Sequence, residues 1–561
     1  MDEESGNLLS DSEECQRQPA GWKIMPFILG NETFERLASY GLIANFMVYL
    51  QREYHMDQVK AATIINAWYG VTNFTPLIGA FISDVFIGKF QTIIFGSFTS
   101  LLGMMIMTAT ALVPQLRPPP CPIEQQQNNR CIAATNTQLS FLILSMLCLA
   151  IGTGGVKPCS VPFSIDQFDQ STSEGQRGVI RFFNWYYTTQ TIILLISQTL
   201  VVYVQNDISW ALGFGIPTVL MLGAIVLFIV GSPFYVCVNP KGSTFSSIIR
   251  VFIAAYRKRR LTLPTDGDEV ISRNPPLNTH LLSHKLPFTD EFRFLNKAAI
   301  TSENEVDVDG NLINPQKVCS IQQIEDVKRL IRIIPIGVTS IIGFLASNQQ
   351  QTFAVSQAQK MDRHIMSINY EIPAGSISVI SLITIGIWLP FYDTVLLPPL
   401  RRLMKHEDGI TVLQKVGIGN IFAALTMMVS GLVEQKRRDL AILNGTSNGV
   451  APMSVMWLAT QLVLMGFSQV HCIVGLTEFY NEEFPDHMRS IGNSMLYLTT
   501  SLASYISSLI VTIVRDCNDN WLTENVNTSK LDYFYYLIAG LITLNFFCYL
   551  FCACRYQYKN M

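Results

Sequence analysis

The stretch LGNETFERLASYG, Leu29 to Gly41, sits inside the otherwise apolar run Pro26–Gln51. Glu32, Glu35 and Arg36 are costly in a membrane-buried helix. Whether this run is a span depends on what those charges do. They lie at spacings of three and four, so they share one helix face. A neutralised pair near a helix end would need only two of them. Two acids and one base leave an excess carboxylate, and a carboxylate near a cation in a low-dielectric site is suited to carry a proton.

Working outward, the chain has 561 residues, 49% hydrophobic and 14% charged, against roughly 25% charged in soluble domains. Runs free of Asp, Glu, Lys and Arg are long enough to cross a bilayer as helices. Ala61–Ser83, Phe90–Leu116, Ile132–Val156, Phe182–Asn206 and Ile208–Pro240 fill the first half. Ile333–Gln359, Ile372–Tyr392, Val416–Val433, Leu440–Thr477, Ser490–Val514 and Tyr533–Cys554 fill the second. With Pro26–Gln51 the reading is twelve spans, an all-α integral membrane protein. The expected divisions are a cytosolic tail 1–24, a six-helix bundle 25–240, a cytosolic linker 241–327, a second six-helix bundle 328–556 and a tail 557–561.

The N-terminus, MDEESGNLLSDSEE, is acidic where a cleavable signal needs a basic start, so the first span is expected to insert directly. The basic run Arg257–Arg260 in the linker and the cluster Arg401–Lys405 place both on the cytosolic side. One stretch disagrees: Glu434–Arg438, EQKRR, reads as an outward loop. Two candidate N-glycosylation sites, Asn444 and Asn527, fall in outward loops.

Cys121 and Cys131 share an outward loop and are able to pair. Most of the other cysteines read as small apolar residues of the spans. Cys552 and Cys554, near the last helix end, are candidates for palmitoylation. A formal charge of −3 with one short basic run excludes nucleic acid as a partner. The sequence shows no metal cluster and no nucleophile–base set, so an enzyme is not expected.

Lys157, in GTGGVKPC, is the other formal charge at membrane depth, and it is expected to pair with Glu32 or Glu35 in some state of a cycle. The glycines before it let helices approach closely. Pro158 is expected to break the helix just after it.

These residues carry a resemblance. ETFER resembles the ExxER signature of the proton-dependent oligopeptide transporter family. Gly152–Asp169 (GTGGVKPCSVPFSIDQFD) and Phe182–Tyr187 (FFNWYY) are similar to its other signatures. Gly79–Lys89 looks like the loop signature between the second and third helices of the major facilitator superfamily, and Trp388–Arg402 is the corresponding region of the second half. Detailed wording, such as KLDYFYYLIAG, is similar to the plant nitrate/peptide branch, nearest its subfamily of nitrate and glycoside carriers.

The resemblance implies a major facilitator fold with alternating access and a midplane substrate site. It implies proton symport, with Glu32, Glu35, Arg36 and Lys157 as the coupling group, protons as the coupling ion and no other cofactor. Where one nitrate carrier of the family has a histidine, this chain has Ser347. Where peptide carriers have a glutamate, it has Gln469. A peptide is therefore not the expected substrate. Asn348, Gln349, Gln350 and Gln351 offer amides for hydroxyl groups, and Tyr69, Tyr186, Tyr187 and Trp388 offer aromatic faces. His471 reads either as a pocket residue or as an interhelical hydrogen bond.

The expectation is a proton-coupled symporter of a glycosylated metabolite, of the glucosinolate, iridoid or alkaloid glucoside type. The alternative is a low-affinity nitrate carrier at the plasma membrane. A non-transporting signalling or scaffold relative would have no need of costly buried charges. Thr92, three residues after Lys89, occupies a position that is phosphorylated in one nitrate carrier of the family, which would make a kinase a partner. Glu4, Leu8 and Leu9 fit an acidic dileucine signal for sorting adaptors, which favours the vacuolar membrane and export of substrate toward the cytosol. The remaining expected partners are the small-molecule substrate and the lipid bilayer.

Overall fold

The structure is a computed structural model. It describes residues 21–556 apart from 122–130, 170–171, 237–243, 261–291, 300–318, 366–367, 405–409, 446–448, 485–488, 519 and 524–525. Glu4, Leu8 and Leu9 lie outside the described residues.

Helices α1 (Met25–Arg52), α2 (Gln58–Ile82), α3 (Gly88–Leu112), α4 (Asn136–Ile165), α5 (Ser173–Ile196) and α6 (Trp210–Val230) form the first half. A linker helix, α7 (Thr244–Arg257), precedes the second half. That half comprises α8 (Ile321–Gly343) continued by α9 (Leu345–Gln359), α10 (Val379–Phe391), α11 (Val412–Leu443), α12 (Leu458–Gln469) continued to α13 (Gly475–Glu483), α14 (Arg489–Cys517) and α15 (Leu531–Arg555). Ten described stretches are long and apolar enough to cross a bilayer. One of them, Gln58–Leu112, contains both α2 and α3, and α1 lies outside the ten because of its charges, so ten plus two gives the twelve passes of a major facilitator fold.

Local chemistry sets several helix starts. Thr135 with Gln138, Ser320 with Gln323 and Thr411 with Gln414 form reciprocal capping boxes at α4, α8 and α11. Asp57 caps α2 by accepting from the Lys60 amide. The outer surface of the bundle carries bare apolar side chains such as Phe95, Leu102, Val219, Leu425 and Phe547, as a lipid-facing belt requires.

Three expectations change here. First, α4 runs through Pro158 and Pro162 to Ile165 and does not stop after Lys157. Proline removes one helical donor, and the Gly154 carbonyl it leaves faces the bare backbone of Gly79. A Cβ on Gly79 would stand 1.9 Å from that oxygen. Gly96 and Gly103 of α3 lie against α4 in the same way, backbone on backbone. Tertiary contact therefore carries the helix past the proline. Second, α8 begins at Ile321, inside the stretch read as linker, because the Ser320–Gln323 box starts it and its charged first turns stay helical.

Third, Glu434–Arg438 is not a loop. It is part of α11, and Glu434 and Arg437 are fully buried. Arg437 Nη2 donates to Glu434 Oε1 at 2.7 Å, and Arg437 Nε donates to Oε2 at 2.8 Å. Gln357 of α9 donates to Oε2 at 2.7 Å. Arg437 also donates to the Val526 carbonyl at 2.9 Å and to the Asn527 side-chain oxygen. Arg438 pairs with Asp532, and Lys436 lies over the Trp457 ring at 3.8 Å. The basic charges of this stretch are thus answered within the protein.

Asn527 thus has no exposed surface, and its amide nitrogen donates to the Gly449 carbonyl at 2.9 Å. It is closed to a glycan, while Asn444 at the end of α11 is exposed. A mobility shift on deglycosylation is expected to vanish in Asn444→Gln and to persist in Asn527→Gln. Loss in the latter alone would contradict this fold. Cys121 and Cys131 are joined as a disulfide.

Candidate functional site

α1 delivers three charges to one point in the first half, and all three are buried. Arg36 reaches Glu32 Oε1 through Nη2 at 2.8 Å and Nε at 3.1 Å, the i,i+4 pairing that the spacing predicts. Tyr186 of α5 completes this pair. Its hydroxyl donates to Glu32 Oε1 at 3.0 Å and accepts from Arg36 Nη2 at 2.7 Å. Arg36 Nη1 also donates to Tyr40 at 3.3 Å.

Glu35 is held differently. Its Oε1 accepts from Ser39 at 3.0 Å and from Thr153 of α4 at 2.9 Å, and its Oε2 is buried with no partner. No cation stands within ion-pair distance of it in the described structure. Lys157, one turn beyond Thr153, makes no ion pair either, although the fields of Tyr40, Arg36, Glu35 and Glu32 all act on it. Its Nζ lies 5.8 Å from the centre of the Tyr497 ring on α14, in the other half. The arrangement is therefore one closed pair, Glu32–Arg36, beside two open charges, Glu35 and Lys157. A proton delivered to Glu35 would neutralise a buried charge that only hydroxyl groups now hold.

Among the predicted substrate residues, Ser347 of α9 and Gln469 of α12 meet. Gln469 Nε2 donates to the Ser347 hydroxyl at 2.8 Å. Asn348 donates to Ser504 at 3.3 Å. Ser504 and Tyr497 are seven residues apart on α14, two helical turns or about 10.5 Å. One face of α14 thus links the charged group of α1 and α4 to the polar face of α9.

Gln349 and Gln350 point elsewhere. Gln349 donates to Ser507 at 2.7 Å; Gln350 donates to Ser430 at 2.5 Å and accepts from Gln461 at 3.1 Å. Both are buried and tie helices of the second half together. A helix shows one stripe to a cavity, and these two lie off it. Trp388 packs on Phe467 with ring centres 4.6 Å apart, and its buried Nε1 has no partner. His471 accepts neither reading in full. Its Nδ1 bonds the Phe467 carbonyl of its own helix at 2.8 Å, amid the rings of Trp388, Tyr392 and Phe422. Tyr69 is half-buried on α2 against Trp68. The side chain of Tyr187 lies outside the described residues.

Thr92 is buried and donates to the Gly88 carbonyl at 2.8 Å, while Lys89 is held by Asp166 at 2.5 Å. A kinase has no access to that hydroxyl in this arrangement.

A cavity of about 1020 Å³ opens between the halves at the end where α1 meets α2, lined in part by Gln51, Arg52, Lys60, Ser356, Lys360 and Arg515. None of the predicted substrate residues lines it. Gln51 donates to Ser356 at 3.3 Å and Ser378 bonds Gln198, so the two halves touch at this end. Burial holds the Lys360 ammonium below its usual range, and Arg437 nearby adds in the same direction.

Two features escaped the sequence. Tyr186 was read as a stacking ring, and its hydroxyl instead closes the Glu32–Arg36 pair. The Glu434–Arg437 pair was read as a loop, although its spacing of three on a helix is the same kind of signal that flagged α1.

Residues 90–527 match the family described as the POT family. Over its full length the chain is similar to protein NRT1/PTR FAMILY 2.14 of Arabidopsis thaliana, at 56% identity over 100% of this chain and 99% of that one. It is also similar to protein NRT1/PTR FAMILY 2.13 of the same plant, at 49% identity over 99% and 90% of the two chains. Among solved structures, an auto-inhibited POT family peptide transporter superposes with a TM-score of 0.72 at 20% identity, covering 96% of this chain and 98% of that one. The POT family transporter PepTSo gives 0.71 at 18% identity, covering 97% and 99%. At such identities the likeness is one of fold.

Proposed function

The chain belongs to the POT family of membrane transporters, and on that premise we propose that it is a proton symporter of a glycosylated plant metabolite, of the glucosinolate, iridoid glucoside or alkaloid glucoside type. The observation that carries the substrate class is the Gln469–Ser347 hydrogen bond. Two positions expected to hold a carboxylate and an imidazole hold neutral groups that satisfy each other. A free amino terminus then finds no carboxylate there. Hydroxyl groups find amide and hydroxyl partners, and the Trp388 indole offers an unpaired N–H beside its ring.

In this reading Glu35 carries the proton. Lys157 answers it in the next state of the cycle, while Glu32, Arg36 and Tyr186 keep α1 and α5 together. The test is uptake of a panel of glucosides, nitrate and dipeptides in oocytes at acidic and neutral external pH. A glucoside is expected to compete better than nitrate at equal concentration, and dipeptides not at all. Saturable nitrate uptake untouched by any glycoside would overturn this reading. One feature favours that second reading: Lys157 is a half-buried cation with no ion pair among the described residues, as a small anion would require.

The acidic dileucine pattern of Glu4, Leu8 and Leu9 supports a vacuolar address. The vacuolar lumen is acidic, so symport there would run toward the cytosol. A fluorescent fusion with Leu8 and Leu9 changed to alanine is expected to leave the vacuolar membrane. Identical labelling of the plasma membrane by both versions would remove both the address and the export direction.

A further inference from the structure

α7, Thr244–Arg257, is apolar on two sides. One side is buried: Val251, Ala254 and Ala255 pack with Leu295, Ala298 and Cys319 against Ile324 and Val327 of α8. Ile248 packs on the same cluster as Cys552 and Tyr556, so this end of the helix lies where α15 leaves the bilayer. The other side is bare. Ile249, Phe252, Ile253 and Tyr256 are 55%, 43%, 47% and 68% exposed. Their spacing of i, i+3, i+4 and i+7 makes them one stripe. A helix that met only cytosol on that side would carry polar residues there.

Cations border the stripe. Arg257, Arg259 and Arg260 close its end, while Arg250 turns toward Cys319 on the buried side. None of these three closing arginines makes an ion pair among the described residues, and the Arg259 guanidinium lies 4.2 Å from the centre of the Tyr256 ring. An apolar stripe bordered by arginines is the composition of a helix lying in a membrane interface, and anionic headgroups attract basic residues at that depth.

We propose that the exposed face of α7 lies in the cytosolic leaflet, with Ile249, Phe252, Ile253 and Tyr256 among the acyl chains and its arginines on the headgroups of anionic lipids. The charge complementarity and the seat of Ile248 at the bilayer rim both favour lipid over a protein partner. Bound this way, α7 fixes the cytosolic start of α8 to the membrane, and with it the second half of the transporter.

The test uses the full-length protein in liposomes of phosphatidylcholine, with and without phosphatidylserine. Tyr256→p-benzoylphenylalanine is photolysed and the adduct identified by mass spectrometry. Lipid adducts are expected, and they should increase with phosphatidylserine. Each arginine changed to glutamine should lower the phosphatidylserine preference about fivefold, so the combined Arg257→Gln, Arg259→Gln, Arg260→Gln variant should lose it. Ile253→Asn should lower lipid adducts in both membranes while the protein remains monodisperse. Adducts to the first six-helix half or to the acidic linker stretch Glu303–Asp309 would overturn the proposal. So would a yield of lipid adduct that ignores phosphatidylserine, or no adduct at all.

Discussion

Glu35→Gln is expected to abolish uphill transport while leaving exchange of substrate intact. A pH difference of one unit supplies about 1.4 kcal/mol per proton, or about tenfold accumulation of a co-transported solute. Membrane potential adds about 2.3 kcal/mol per charge per 100 mV. With the potential clamped near zero in liposomes, the wild type should concentrate substrate about tenfold per pH unit, and the variant should stop at equality. The substitution is conservative in shape. Glutamine keeps an acceptor for Ser39 and Thr153 and removes only the site of protonation. Counterflow of labelled against unlabelled substrate should therefore survive and show that the protein is folded. Accumulation equal to wild type would mean that the proton is carried elsewhere. Glu32 is the weaker candidate, because Arg36 and Tyr186 already neutralise and hold it.

Arg437→Ala is expected to destabilise the protein by about 3–5 kcal/mol, since it strands a buried carboxylate. Glu434 has no exposed surface, and its Oε1 would lose its cationic donor while Oε2 kept only Gln357. Native domains are stable by about 5–15 kcal/mol, so the loss takes a large share of the total. Thermal unfolding in detergent should fall sharply for Arg437→Ala and for Glu434→Ala. Glu434→Leu combined with Arg437→Met should recover part of the loss, because the charge and its partner then leave together. If the double variant is no better than the singles, the pair is not the source of the effect. A single variant within about 1 kcal/mol of wild type would mean that water reaches the site.

The twelve passes were legible because long uncharged runs have few readings other than spans. α1 was legible despite its charges, because their spacing placed them on one face. Counting charge-free residues failed where a helix buries charge against charge. α11 was cut at Val433 for that reason, and its last turns were assigned to a loop. The start of α8 was missed although Ser320–Gln323 spells a capping box, a local signal that hydropathy does not see. Ser347 and Gln469, singled out on separate helices, meet in a hydrogen bond. Gln349 and Gln350 turn to other helices of the second half, because a run of amides says nothing about which of them faces a cavity. Tyr186 illustrates a further gap: a tyrosine declares a ring in the sequence, and only the fold shows where its hydroxyl goes.

The backbone contacts of Gly79, Gly96 and Gly103 with α4 have a mechanical consequence. Where side chains interdigitate, helices slide by exchanging rotamers. Where peptide planes touch, no rotamer exists to exchange. α2, α3 and α4 therefore behave as a stiff plate that turns without shearing. Compliance lies where the hydrogen-bond ladder is already irregular: the wide turns at Ser83–Ile87, where α2 hands over to α3, and at Ser197–Val201, Val204–Ile208, Tyr392–Leu396 and Val470–Val474. Glu35 bonds to Thr153 on this plate, so a change at Glu35 acts on a lever and its displacement grows with distance from the pivot.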